Sequence, residues 1–312
     1  MGLLAAEALL MAYQTGTASG PAALLNSLAT FASSNGWSSQ DIQAGKGFTS
    51  PDGATFALVA GTDSLAIRGC VGLSSSKVAS EQPGAASVAT VVNAIAGPFA
   101  GYTFFAGNED GAYYLHGVIE AAAGIYKPFA IGRLVKFDST VGGEYASAVN
   151  WFYGDNYTNF PTNQYHDYLF DSRHLYQGNE SWSHVRANLD GKANNWMRLK
   201  TDWEGNNALG IARADGLAGS LISVGYQRFN KLVPILPIYL FGDRPSNLRS
   251  PLGYVPHLRL VDLRLLEPKQ IITIGTEEWQ VFPAHQRTLT WDVYRSTIPS
   301  SAYNGYAFRR IM

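Results

Sequence analysis

Residues Gly111–Ala146, GAYYLHGVIEAAAGIYKPFAIGRLVKFDSTVGGEYA, decide the fold, because they read as paired antiparallel strands joined by an Ala-Gly turn. After the turn, Ile125, Phe129, Ile131, Val135 and Phe137 share one face of a period-two pattern. Tyr126, Pro128, Ala130 and Leu134 share the other. Successive strand residues point to opposite faces, so both faces of this strand are apolar in part. Such a strand needs cover on both sides, from a core on one and from another layer or another subunit on the other. The stretch carries no catalytic signature and predicts an architectural sheet whose outer face makes contacts.

Outward from this stretch, Phe48–Leu73 reads as strands separated by the turns Ser50-Pro51-Asp52-Gly53 and Ala60-Gly61-Thr62-Asp63. Ile271–Phe282 reads as a hairpin whose turn is Gly275-Thr276-Glu277-Glu278, placing Glu277 and Glu278 in solvent, where substitutions are nearly silent. Pro21–Asn35 predicts an amphipathic helix, with Leu24, Leu25, Leu28, Phe31 and Ala32 in one stripe, Pro21 at its start and Asn35-Gly36 at its stop. Ala85–Ala96 predicts a second helix, with Val88, Val91, Val92 and Ile95 on one face, and its valines also suit a strand. The prolines of Val233–Phe241 and Pro251–Pro256 favour edge strands and extended connectors over a central strand. The tract from Asn150 to Asn195, rich in Asn, Asp, Tyr and Gly, predicts ordered surface loops. The fold class that follows is mainly β with two or three short helices (α+β). Its sheets are antiparallel and sandwich-like, with long ordered loops. The 312 residues form one compact unit, or one subdivided near residue 100, and residues 1–11 read as a disordered extension, Met11 being an alternative start.

Composition narrows the function. Charged residues are 15% against about 25% in ordinary soluble domains. With 39 aromatic residues besides, this leaves more contact surface than a free monomer needs. The net charge of −1 gives no electrostatic footprint for nucleic acid or for an anionic membrane. The apolar opening is too short to span a bilayer, and Ala6 breaks the myristoylation pattern. Cys70, the one cysteine, excludes an internal disulfide and reads as a small buried hydrophobe.

No phosphate loop, Gly-x-Ser-x-Gly elbow, dinucleotide fingerprint or Cys-x-x-Cys pair occurs. The densest polar cluster is His166, Asp167, Asp171, His174 and His184; its spacing matches no tight metal pattern, so His166, Asp171 and His174 are weak metal candidates and no cofactor is expected. Asp243, Glu277, Glu278 and Asp292 lie among aromatics, as the acid and base of a glycosidase would. Trp151, Tyr153, Tyr157, Tyr165, Tyr168 and Tyr176 have the Tyr-rich, Asn-rich setting of adaptable recognition surfaces and are the candidate interaction surface.

The Gly111–Ala146 stretch also resembles a type of virion structural protein of tailed bacteriophages. Three further places are similar to such proteins: TGTASGPAALLNSLATFASSNGW at Thr15–Trp37, GYVPHLRLVDLRLLEPKQIITIGTEEWQVFP at Gly253–Pro283, and NGYAFRRI at Asn304–Ile311. None is an active-site motif. The resemblance implies a non-enzymatic tail or baseplate component, with capsid decoration as another location, assembled in the host cytoplasm into the virion. Its partners would be copies of itself and other virion proteins, with host surface glycan as a further contact. The residues alone leave a second reading open: a carbohydrate-active β protein, either a lectin-like module or a glycoside hydrolase.

Overall fold

The computed structural model describes residues 11–139, 141–148, 166–173, 180–189, 192–200, 211–214, 235–244, 248–263, 265–284 and 304–311. Strand β1 (Ala12–Gly16) precedes the helix α1 (Pro21–Ser34). A five-stranded antiparallel sheet follows, built in sequence order from β2 (Ser38–Ile42), β3 (Gly45–Thr49), β4 (Thr55–Ala60), β5 (Leu65–Cys70) and β6 (Thr90–Val92). A 3-10 turn, Ala79–Glu81, lies between the last two strands. The chain then continues through β7 (Gly101–Glu109), β8 (Ala112–Ala122), β9 (Ile125–Arg133), β10 (Val135–Lys136) and β11 (Gly142–Ala148). A small hairpin, β12 (His166–Tyr168) with β13 (Asp171–Arg173), stands apart. The remaining strands are β14 (Glu180–Leu189), β15 (Lys192–Lys200), β16 (Ile211–Ala214), β17 (Ile235–Arg244), β18 (Leu248–Asp262), β19 (Ile271–Ile274), β20 (Glu277–Pro283) and β21 (Asn304–Ile311).

One 14-stranded sheet joins most of them in the order β1-β7-β8-β9-β11-β14-β15-β16-β17-β18-β21-β20-β19, with β10 added on β18. Every strand pairing among the described residues is antiparallel except β15 with β16. The fold is therefore mostly antiparallel β with one α-helix among the described residues, not the two or three expected. Ala85–Ala96 is not a helix: the β-branched run Thr90-Val91-Val92 pairs with Ile67, Ala66 and Leu65 of β5 instead. Stiff β-branched side chains suit the pleat, and a sheet edge was there to receive them. Part of the Asn150–Asn195 tract is likewise strand rather than loop, since β14 and β15 flank the hairpin-favouring dipeptide Asp190-Gly191. Strand β17 is flanked by β16 and β18, so it is not an edge. Its Pro237 is tolerated because β16 pairs only with Leu240, Phe241 and Gly242.

The helix forms where its residues predict. Pro21 opens it, Asn35 closes it by donating from Nδ2 to the Phe31 carbonyl at 2.7 Å, and Leu24, Leu25, Leu28, Phe31 and Ala32 are all buried. Phe31 meets Phe104 of β7 with ring centroids 5.8 Å apart, and Trp37 meets Phe56 of β4 at 6.3 Å. Helix, small sheet and one face of the large sheet thus share a single core containing Leu28, Phe56, Ile67, Phe104, Leu115, Phe129 and Ile131.

The opposite face feeds a second core. Phe105, Tyr114, Val118, Tyr126, Ala130, Leu134 and Tyr145 pack there with residues of β14, β15, β17, β18, β20 and β21. The sheet bends back on itself to make this contact: Phe105 stacks on Phe308 of β21 at 5.0 Å and meets Phe282 of β20 at 6.3 Å. Both apolar faces of β8 and β9 are consequently covered from within the chain. The expectation that the outer face of the Gly111–Ala146 stretch makes external contacts is corrected for these two strands, because the chain's own C-terminal strands supply the second layer; Phe137 and Val141, farther along, are exposed.

The Ile271–Phe282 hairpin is present with a shorter turn. Ile274 pairs with Glu277 across the two-residue loop Gly275-Thr276, so Glu277 and Glu278 belong to β20. Glu277 Oε1 lies 2.8 Å from Arg309 Nη2, and Glu277 Oε2 accepts the Trp279 indole N–H at 3.0 Å. These bonds make Glu277 a structural residue rather than a solvated turn. Glu277→Ala is expected to cost about 1–2 kcal/mol, the range for a partly exposed charged hydrogen bond whose loss strands a donor. Urea melts of the variant and the parent check the value.

Candidate contact surface and the buried polar cluster beneath it

Strand β10 leaves β9 to pair with β18, matching Val135 with Tyr254 and Lys136 with Gly253. On the other side of β18, Tyr254 lies directly opposite Tyr239 of β17. Cross-strand and diagonal neighbours on one sheet face lie within reach of aromatic side chains. Phe137, Tyr239 and Tyr254 accordingly form a three-ring group with centroids 6.1–6.2 Å apart. Phe137 is 53% exposed and Tyr239 is 39% exposed. Val141, also exposed, follows in the same connection.

What holds Tyr254 in place is a bulge. Pro237 pairs with Arg259, whereas Tyr239 pairs with Tyr254, so Val255–Leu258 all stand opposite Ile238. Within the bulge His257 has φ 47°, a conformation uncommon for a non-glycine residue, and its side chain is 1% exposed. Glu109, the last residue of β7 before the Asp110-Gly111 turn, fastens the bulge. Its Oε1 accepts the Tyr254 hydroxyl at 3.2 Å and its Oε2 accepts the His257 backbone N–H at 3.0 Å. Arg259 approaches Oε1 at 3.8 Å and donates to the carbonyls of Val255 at 3.3 Å and Leu258 at 3.0 Å.

Deeper in, Arg309 Nη1 lies 2.8 Å from His257 Nε2. A guanidinium can only donate, so Nε2 is the acceptor and the ring proton sits on Nδ1, 3.3 Å from the Tyr114 hydroxyl. His257 is therefore neutral, and its 3.5 Å approach to Glu109 Oε2 is a contact rather than an ion pair. Burial first, then the charges of Arg309 and Arg259, push its pKa down to about 3. Tyr114 stacks 4.6 Å from His116, whose Nε2 lies 2.8 Å from the Tyr145 hydroxyl. Burial, and secondarily His257, holds His116 well below the ordinary imidazole value. The same burial raises the phenols of Tyr114 and Tyr145. Tyr254 is pushed up to about 12 by burial and by Glu109.

These shifts have a sign that can be tested. A histidine whose folded pKa lies below its unfolded value near 6.5 contributes full stability above that value and loses it as pH falls. For His257 the losing range runs from about 6.5 down to its folded pKa of about 3, and between pH 6.5 and 5 the loss is about 1.5 kcal/mol. His116 adds a loss of the same sign. Urea melts from pH 7.5 to 5 are expected to show this fall, and His257→Asn is expected to flatten it.

Sequence-predicted site residues lie elsewhere. His184 is buried on β14, accepts the Gly69 N–H at 3.3 Å and meets Trp196 edge-on at 5.1 Å, tying the large sheet to the small one. It is thus a strut between sheets, not part of a loop cluster. On the small hairpin His166 pairs with Arg173, Asp167 with Ser172 and Tyr168 with Asp171, so the backbone does not set His166 against Asp171. The side chains of these residues and of Asp243, and all of Trp151, Tyr153, Tyr157, Tyr165, His174, Tyr176 and Asp292, lie outside the described residues, as do residues 1–10. Among the described residues no three His, Cys, Asp or Glu side chains group as metal ligands, and no helix is long and apolar enough to cross a membrane.

Of the residues that matter here, only Phe137 was named from the sequence, as one position of an apolar strand face; Glu109, Tyr239, Tyr254 and His257 were not singled out. One signal was available: Asp110-Gly111 is a strong hairpin dipeptide, and both residues have positive φ, 51° and 76°, as a type I′ turn requires. It would have located Glu109 at a strand end. No family model matches the chain, and no curated protein matches its sequence.

Proposed function

We propose that this chain is a non-enzymatic structural component of a tailed-phage virion, of the tail or baseplate, that assembles with copies of itself and with neighbouring virion proteins. The observation that carries the reading is the exposed Phe137–Tyr239–Tyr254 group. Water-exposed rings anchored by a buried network are what a contact surface needs, since rigid aromatic anchors dominate interface energetics. A buried group of titratable side chains is spent on holding that surface: Glu109, His257, Arg259 and Arg309 contact one another beneath it. A nucleophile and its base, or an acid and base pair, would instead have to converge on a cleft. In this reading the two-core β frame is a sandwich-like building block, consistent with the resemblance noted above.

A second reading rests on the same rings. Aromatic faces beside a carboxylate also suit sugar stacking, which would make the surface a contact for host glycan. The tests separate the two. The chain is expected as a stoichiometric component when the particle made by the genome that encodes it is analysed by mass spectrometry. It is expected to release no sugar from a panel of bacterial surface polysaccharides and peptidoglycan. Absence from the particle, or turnover lost in Glu277→Gln or Asp243→Asn, would overturn the structural reading. Binding without turnover, lost in Phe137→Ser with Tyr239→Ser, would assign the rings to host glycan within it.

A further inference from the structure

The three rings of the contact surface stand at the corners of a nearly equilateral triangle, 6.1 Å from Phe137 to Tyr239 and 6.2 Å along the other two edges. Their planes are inclined by 28°, 45° and 72°, so the rings are splayed and do not lie flat upon one another. A charge seated about 4 Å above the middle of such a triangle lies about 5 Å from all three centroids, within the reach of a cation–π contact. The chain already uses one of these rings in that way: the Arg259 guanidinium carbon lies 5.8 Å from the centroid of Tyr254.

The charge around the rings is mainly negative. The Glu109 carboxylate accepts the Tyr254 hydroxyl, and Asp110 follows it in the exposed turn between β7 and β8. Burial first, then the charges of Glu109 and of Asp110, raise the Tyr254 phenol, so both carboxylates act on that ring. Asp110 makes no hydrogen bond or ion pair among the described residues. Asp138 is exposed next to Phe137. Against these acids stands Arg259, which Glu109 and the carbonyls of Val255 and Leu258 already hold. Lys136 is directed over Gly143 of β11 instead, where its Cδ would be 2.9 Å from an added Cβ. An acidic partner would be repelled here, and a neutral one would leave the carboxylate of Asp110 unanswered. A cation satisfies both the ring faces and the acid.

We infer that the Phe137–Tyr239–Tyr254 group, with the carboxylate of Asp110, takes an arginine side chain presented by a neighbouring protein of the assembly. This inference rests on the assembly reading above and names the chemistry of the partner. Arginine fits better than lysine because its planar, weakly hydrated guanidinium stacks on rings while its edge donates to a carboxylate. The probe is a capped glycine peptide bearing one arginine, compared with the same peptide bearing citrulline, which keeps the shape and removes the charge. Each is titrated into the whole chain and followed by the NMR signals of the ring protons. The arginine peptide is expected to move the Phe137, Tyr239 and Tyr254 resonances and to bind about tenfold more tightly than its citrulline counterpart. Phe137→Ser with Tyr239→Ser is expected to abolish the response. Asp110→Asn keeps a strong hairpin dipeptide in the turn and is expected to weaken binding about threefold, with less dependence on salt than the parent shows. Equal affinity for the two peptides would overturn the inference, as would shifts that survive the double serine variant or rings that stay unmoved at millimolar peptide. In each of those cases particle composition still decides the assembly reading. A bacterial surface polysaccharide that moves the rings where the arginine peptide does not would also overturn it, and would assign the rings to host glycan.

Discussion

Gly132→Ala is expected to destabilise the protein by about 4 kcal/mol and to leave it largely unfolded in urea concentrations the parent tolerates. Gly132 pairs on one side with Tyr114 of β8 and on the other with Tyr145 of β11, at φ 152°, a region L side chains rarely adopt. A Cβ there would stand 2.5 Å from the Tyr113 carbonyl oxygen and 2.8 Å from the Tyr114 Cα. Those are backbone atoms of a paired central strand and cannot swing aside. Backbone strain costs about 1–3 kcal/mol and overpacking a similar amount. The Tyr145 hydroxyl, 3.0 Å from the same point, would also be driven from His116. Gly124→Ala is the control: it too has positive φ, 76°, but lies in a hairpin turn with nothing within 4 Å, so only the left-handed penalty of about 1–2 kcal/mol applies. Equal costs for the two would mean that the close strand approach at Gly132 does not decide its identity.

Glu109→Ala is expected to cost about 3–5 kcal/mol, the range for removing one partner from a buried charged group. Two donors lose their acceptor together, the His257 N–H and the Tyr254 hydroxyl, and the Arg259 guanidinium loses a carboxylate 3.8 Å away. The His257 N–H has no route to water, because its residue is 1% exposed. Glu109→Gln keeps one carbonyl acceptor and is expected to lose about half as much. The variant should also release Tyr254, so tyrosine fluorescence of the surface rings should change with stability. A cost below about 1 kcal/mol, typical of an exposed pair, would show that the bulge holds without its carboxylate.

These two substitutions mark where reading the chain residue by residue runs out. The helix at Pro21–Ser34 and the strands on either side of Ser50–Gly53 and of Ala123-Gly124 were legible because local signals agree there: a proline start, a period of 3.6 or 2, and turn residues at the breaks. The Ala85–Ala96 segment was misread because its valines satisfy both periods in a short window, and the open edge of β5 settled the matter. Glu277 was misread for a related reason. A turn shorter by two residues moves it from solvent into a strand beside Arg309, and sequence spacing does not reveal the difference.

Local chemistry by itself determined the β-rich class, the one helix and its buried stripe, and the two apolar faces of Gly111–Ala146, because period and turn preference act over a few residues. Only the tertiary structure decided what covers the second face. It also decided that His184 braces two sheets, and that Phe137, just after β10, meets Tyr239 of β17 and Tyr254 of β18 at the surface over Glu109. Each of those contacts joins residues far apart along the chain, through a strand order and a four-residue bulge that no local preference encodes; the register follows from which pairing buries the apolar faces and pairs most buried polar groups.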